Sequence, residues 1–269
     1  MRIALKIAYD GRSFYGHQRQ PDRRTVEGEC LMALRGAKIL REPRESFFRS
    51  ASRTDRGVSA IGNVIAFDST YPPDAVVGAF NDKAEGVWAW AVAAVPDEFH
   101  PRHALERWYR YHLFSDLSLS ALRRATSLFV GEHDFRSFTS DPARGPMRID
   151  RIDVIRDDRA TLVDIRAPSF RRSMVRRIIA AVTECAAGKI SETEIRAALD
   201  ESRRDFGVVR PEPLFLMDVR YDFAMDALLK PKVRDEWRTM RDENELRVRF
   251  LRTLFDSASE LGSATSTVA

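Results

Sequence analysis

Arg53-Thr54-Asp55-Arg56-Gly57 sets one carboxylate between two guanidiniums, and its flanks make it the tip of a strand connection. Ser46 to Ser52, with Phe47 and Phe48, and Asn63 to Phe67, with Val64 and Ile65, read as the two strands. The segment between them is expected to be an exposed turn, in which Gly57 lets backbone approach a ligand closely. A carboxylate among cations stays ionised and available as a nucleophile, although the same spacing also fits an ordinary turn with a surface ion pair.

Outward from this turn the chain alternates short strands and helices. Ile3, Leu5 and Ile7 alternate along a strand from Arg2 to Tyr9 that Asp10-Gly11 stops. Thr25 caps a helix whose Val26, Leu31, Leu34 and Ile39 recur at near-helical spacing. A helix from Pro72 to about Ala84 precedes strands at Val87 to Val95 and Trp108 to Phe114. The same order then recurs loosely: a helix from Leu119 to Val130, strands near Arg151 to Arg156 and Thr161 to Ala167, and a long helix from Arg171 to Ala187 that ends at Gly188. Ser191 caps a shorter helix to Leu199, and Leu216 to Tyr221 is expected to be the last strand of the sheet.

This pattern predicts an α+β fold of two similar halves, with helices packed on one face of a mostly antiparallel sheet. The halves are expected at 1–100 and 101–222. Residues 223–269 read as a charged helical tail with Trp237, Leu246, Phe250, Leu254 and Phe255 as apolar positions, packed on the body or on a second subunit and frayed from Gly262.

Composition bounds the function. The 269 residues are 44% hydrophobic and 31% charged, which fits a globular chain and argues against disorder. Net charge is +4, a mild preference for polyanions. Six of the 44 basic residues are lysine and the other 38 arginine, the side chain whose planar fork grips phosphate and stacks on bases. Codon bias explains the same count. Cys30 and Cys185 have no CxxC partner, and the five histidines form no ligand pattern, so neither a disulfide framework nor a metal site is expected. The chain opens on a strand rather than a leader, and no stretch reaches the roughly 18 apolar residues that span a bilayer. A cytoplasmic protein without membrane segments is the expectation.

Two further clusters carry candidate chemistry. Phe99-His100-Pro101-Arg102-His103 precedes Arg107-Trp108-Tyr109-Arg110-Tyr111, where a strand turns Tyr109 and Tyr111 to one side and Arg110 to the other. Such a strand can offer rings to a base and a cation to phosphate, or simply pack its aromatics in the core. In the helix after Phe170, Met174, Val175, Ile178, Ile179, Val182 and Cys185 share one arc, with Arg172 and Arg176 as a basic stripe at its edge.

Together, and in this order, these segments resemble the tRNA pseudouridine synthase A family. The likeness runs through Tyr9-Asp10-Gly11, Tyr15-Gly16, Gln18-Arg19-Gln20, Arg53-Thr54-Asp55, Gly57-Val58, Asn63-Val64 and Phe67. It continues with Phe99-His100 and Arg102, Tyr109-Arg110-Tyr111, Gly131-Glu132, Asp134-Phe135, Ser137-Phe138, Phe170 and Met174-Val175-Arg176, covering about residues 1 to 222. Departures are His17 where many relatives have tryptophan, Arg56 where alanine is common, and Ser59-Ala60 where many carry histidine and glycine. None removes a catalytic group. The tail after about 223 finds no counterpart in the bacterial members.

The resemblance implies the pseudouridine synthase fold and the conversion of uridine to pseudouridine at positions 38, 39 and 40 in the anticodon stem-loop of tRNA, by a homodimer. It puts Asp55 on the nucleophilic aspartate, Tyr109 on the tyrosine that contacts the target base, and Arg53 and Arg176 on the active-site arginines. Leu214 or Leu216 supplies the apolar floor. The reaction cuts the bond from C1′ to N1, turns the uracil and rejoins it through C5, with no redox change, so one placed carboxylate suffices and no cofactor is expected. Two rivals are an RNA-binding protein without chemistry and a nucleoside hydrolase, which needs an activated water held by a second acid or a metal.

Overall fold

The computed structural model describes residues 1–40, 46–141, 145–200 and 203–265, with the side chains of the last helix as far as 257. It divides into two compact units, Met1–Leu228 and Leu229–Ala269. In the first, β1 (Arg2–Tyr9), α1 (Val26–Gly36), β2 (Arg49–Ser50), β3 (Ser59–Asp68), α2 (Pro73–Lys83), β4 (Val87–Val95) and β5 (Glu106–Leu113) come first in the chain. They are followed by α3 (Leu119–Ser127), β6 (Gly131–His133), β7 (Met147–Ile149), β8 (Arg151–Asp157), β9 (Ala160–Ala167), α4 (Met174–Ala186), α5 (Glu192–Asp200), β10 (Leu214–Arg220) and β11 (Asp226–Ala227).

The large sheet runs β11-β4-β1-β3-β10-β5-β9-β8, with β2 on β3, while β6 and β7 form a separate ribbon. Its pairings among the described residues are antiparallel except that of β3 with β10, where Phe215 lies opposite Ser59 and Leu216 opposite Ala60. That parallel pair, at the middle of the sheet, brings the end of the body next to the turn that follows β2. The fold is therefore the mixed α+β, mostly antiparallel arrangement that strand alternation predicts.

Ile3, Leu5 and Ile7 of β1 lie in register with Phe67, Ile65 and Asn63 of β3, so one pleat face carries the apolar row. α1 and α2 pack together beside β4, and α3 and α4 pack together, with α3 on β8. Val26, Leu34, Phe80, Leu122, Ile178 and Ile179 are buried in the same core as that row. Each such side chain contributes about 1.5–3 kcal/mol by leaving water. Met174, Val175 and Val182 join them, as the helical arc predicts, whereas Cys185 is only partly buried.

Caps set the helix starts. Thr25 Oγ1 accepts from Gly28 N at 3.2 Å, and Ser191 with Glu194 closes a reciprocal capping box at the start of α5. Several expectations change. The strand read at Ser46 to Ser52 shrinks to β2, because Phe47 has φ 47° and breaks the extended run. α4 starts at Met174 rather than Arg171, because Ser173 is left-handed at φ 58°, ψ 8°. β10 is not the last strand, since β11 pairs with Val92 and Ala91 of β4.

The second unit is one helix, α6 (Pro231–Thr265), on which Leu246, Phe250, Leu254 and Phe255 are exposed. It runs past Gly262, where fraying is expected, and residues 266–269 lie outside the described residues. No described helix is long and apolar enough to cross a membrane.

Candidate active site

Residues 51–58 are fixed from two sides before any functional group is considered. On one side, Tyr9 Oη and Thr54 Oγ1 are 2.8 Å apart, and Asn63 Nδ2 donates to Tyr9 Oη (3.2 Å) and to Ser52 O (2.9 Å). On the other, the buried Arg107 guanidinium donates to Ser52 Oγ at 2.9 Å, Ala51 O at 3.1 Å, Arg102 O at 2.9 Å and Pro168 O. Backbone closes the frame: His17 N donates to Thr54 O at 3.0 Å and Val58 N to Asp55 O at 3.1 Å.

Close packing dictates glycine here. Gly57 turns the chain at φ 88°, and a Cβ on it would lie 2.9 Å from Pro211 Cγ. A Cβ on Gly11 would lie 2.2 Å from Val58 O. The turn is thus less exposed than the sequence suggests: Arg53 and Arg56 face solvent, Thr54 and Gly57 are buried, and Asp55 is half-buried.

Asp55 finds its partners on α4 and at its start. Its Oδ2 accepts from Arg176 Nη1 at 2.9 Å and from Ser173 Oγ at 3.1 Å, while Arg176 Nε donates to Val209 O at 2.9 Å. The side chains of Arg176 and Asp55 are 15% and 27% exposed, so the pair is shielded well beyond an ordinary surface bridge. Both described contacts fall on Oδ2.

Tyr109 is buried on β5, with Phe170 edge-on to its ring at a centroid distance of 5.2 Å. Burial pushes its phenol up to about 12, with Asp55 acting in the same direction and Arg107 opposing it. Across the sheet Leu216 lies opposite Tyr109, and Leu214 opposite Tyr111; both leucines are buried. Leu214 N bonds to O of Pro211, the residue that covers Gly57, which ties Leu214 to the Asp55 turn.

Asp55, Arg176, Tyr109 and the two leucines are therefore gathered at one place. Arg53 is placed differently. It lines a cavity of about 560 Å³ with His17, Arg19, Arg49 and Arg102, while the Asp55 carboxylate is paired with Arg176. Arg110 is bound through Nε and Nη2 to Asp164 at 2.7 and 2.8 Å, opposite in the strand to Tyr109. Arg172 is exposed and precedes α4, so it forms no stripe with Arg176.

Sequence reasoning missed Ser173 and the bracing roles of Tyr9, Asn63 and Arg107. Tyr9 and Asn63 stand among the residues that carry the resemblance, but nothing in a linear pattern shows that they meet. His17 is also buried, and burial pulls its imidazole down to about 4. The assembled groups are a carboxylate held by two donors, a buried tyrosine ring and two buried leucines, beside an arginine-lined cavity, a set that suits a planar base on a phosphate backbone.

Comparison with known proteins agrees with that chemistry. The family model described as tRNA pseudouridine synthase matches residues 125–222. A tRNA pseudouridine synthase A of Thermococcus sibiricus is 43% identical over 245 residues, covering 88% of this chain and 92% of that protein. Those of Thermococcus kodakarensis and Methanococcoides burtonii are 41% and 42% identical, covering 82% and 84% of this chain and 85% of each relative.

Proposed function

The chain belongs to the tRNA pseudouridine synthase A family, isomerases that act on tRNA, and from this we propose that it converts uridine to pseudouridine at positions 38, 39 and 40 of the anticodon stem-loop. Asp55 is the nucleophile and no cofactor takes part. The observation that carries this reading is the Asp55 carboxylate, fixed through Oδ2 by Arg176 and Ser173 beside the buried Tyr109 ring.

A uridine in or beside a stem must leave its stack before C1′ and C5 become reachable, at a cost of a few kcal/mol. The flipped uracil lies against Tyr109 and the leucines, and Arg53, exposed on the same turn, occupies the space that the nucleotide vacates. With Oδ2 engaged, Oδ1 is the oxygen free to react, by adding at C1′, by adding at C6 or by promoting elimination at the ribose. Arg176 offers a positive charge to the carboxylate and, with Ser173, holds it in place. Once the base has turned and C5 has bonded to C1′, the C5 proton leaves, with the Tyr109 hydroxyl as relay.

The arginines of the adjoining cavity hold the RNA backbone. The protein works as a cytoplasmic homodimer on the anticodon arm. Release of tritium from tRNA carrying C5-labelled uridine tests the reaction directly, because a hydrolase or a pure RNA-binding protein releases none.

A further inference from the structure

Ser173 is absent from the segments that carry the family likeness, yet it touches the central carboxylate. Three features of its geometry belong together. First, it is the N-cap of α4, where a serine normally turns its hydroxyl onto the helix's own free N–H groups, and it makes no such bond. Second, that hydroxyl instead donates to Asp55 Oδ2 at 3.1 Å, on the oxygen that Arg176 also holds. Third, it does so from a left-handed backbone, φ 58° and ψ 8°, which disfavours any residue with a Cβ.

A conformation of this kind persists only where its surroundings force it. Here they do. The preceding residue is clamped at both ends of its peptide: Arg172 N donates to Asp141 Oδ2 at 3.0 Å, and Arg172 O accepts from Thr139 Oγ1 at 3.1 Å and Ser140 N at 3.3 Å. Arg177 N, one turn on, bonds to Ser173 O at 3.0 Å. The segment is held so that the hydroxyl serves Asp55 at the expense of its own helix.

We infer that Ser173 is a positioning residue: its hydroxyl, presented by a forced left-handed N-cap, holds Asp55 Oδ2 together with Arg176 and so selects Oδ1 as the reacting oxygen. This rests on Asp55 being the nucleophile. It adds a second, uncharged holder, so that two donors from separate positions fix the orientation of the carboxylate plane where one would leave it free to turn.

Ser173→Gly is the decisive variant, because glycine adopts the left-handed backbone without strain and lacks the hydroxymethyl group that carries the donor. Its melting temperature is expected to equal or exceed that of wild type. Turnover of tRNA is expected to fall at least tenfold with KM changed less than twofold. Ser173→Asn, which tolerates the same backbone and brings an amide donor, is expected to recover part of the loss. A stable Ser173→Gly protein with wild-type turnover overturns the inference. A readout free of activity separates this from failure of the functional reading. In protein labelled with ¹³C at aspartate carboxyls, the Asp55 resonance is expected to move in Ser173→Gly, and an unmoved resonance overturns the inference even if the wild type is inactive on tRNA.

Discussion

Arg176 Nη1 lies 2.9 Å from Asp55 Oδ2, joining residues 121 apart in the chain, and the same guanidinium is anchored through Nε to Val209 O. A charge-assisted bond in so shielded a place contributes about 1.5–3 kcal/mol, roughly 10- to 100-fold in rate if it acts in the transition state. Arg176→Ala is therefore expected to lower single-turnover isomerisation by at least that factor. Arg176→Lys keeps the charge but loses the fork, and is expected to fall between the two. An Arg176→Ala enzyme as fast as wild type would leave Asp55 without need of its partner.

Tyr109→Phe keeps the ring and removes the hydroxyl. If the phenol relays the C5 proton, turnover falls at least tenfold while KM for tRNA stays within twofold; wild-type turnover confines Tyr109 to stacking. Because burial pushes this phenol up to about 12, its ionisation should leave no alkaline limb in the wild-type rate profile below about pH 10.

His17 makes stability depend on acid. Its imidazole is depressed from 6.5 to about 4 by burial, with Arg53 adding to the effect, so below about pH 6.5 the unfolded chain binds a proton that the native state takes up only near pH 4. Stability from this site is complete above pH 6.5 and lost as pH falls toward 4, by about 3 kcal/mol in all. Urea titrations from pH 7 to 4 should show the loss in wild type and a shallower slope in His17→Phe; parallel slopes would remove His17 as the cause.

Arg53 is expected to contact RNA phosphate rather than Asp55. In Arg53→Ala, tRNA affinity at low salt should fall, and the slope of log affinity against log salt should flatten by about 1. An unchanged slope with reduced turnover would give Arg53 a role in the chemistry instead.

Gly57→Ala meets Pro211 Cγ at 2.9 Å and needs φ 88°, so it is expected to cost about 1–3 kcal/mol in stability and to displace the Asp55 turn. Thermal melts check the first effect and turnover the second.

The fold was legible where side chains alternate or repeat strongly. β1, β4, α2 and the buried arc of α4 follow from the spacing of apolar residues, which burial on one face imposes. The breaks were not legible: Phe47 and Ser173 adopt positive φ although neither is glycine, because tertiary contacts rather than local preference hold them there. At the site, Asp55, Tyr109 and Arg176 follow from a resemblance spread over many short segments. Ser173, Arg107, Tyr9 and Asn63 act through hydrogen bonds between segments far apart in the chain, and no periodicity encodes such bonds. Asp55 pairs with Arg176, 121 residues away, because the start of α4 is fixed over the turn.

The central claim, that Asp55 isomerises uridine in tRNA, is met most directly by incubating wild type and Asp55→Ala with tRNA transcribed from C5-tritiated uridine, without added metal or cofactor. Tritium release by wild type and none by a folded, tRNA-binding Asp55→Ala is the predicted result. Equal release by both proteins, or none from a wild type that binds tRNA, would contradict it.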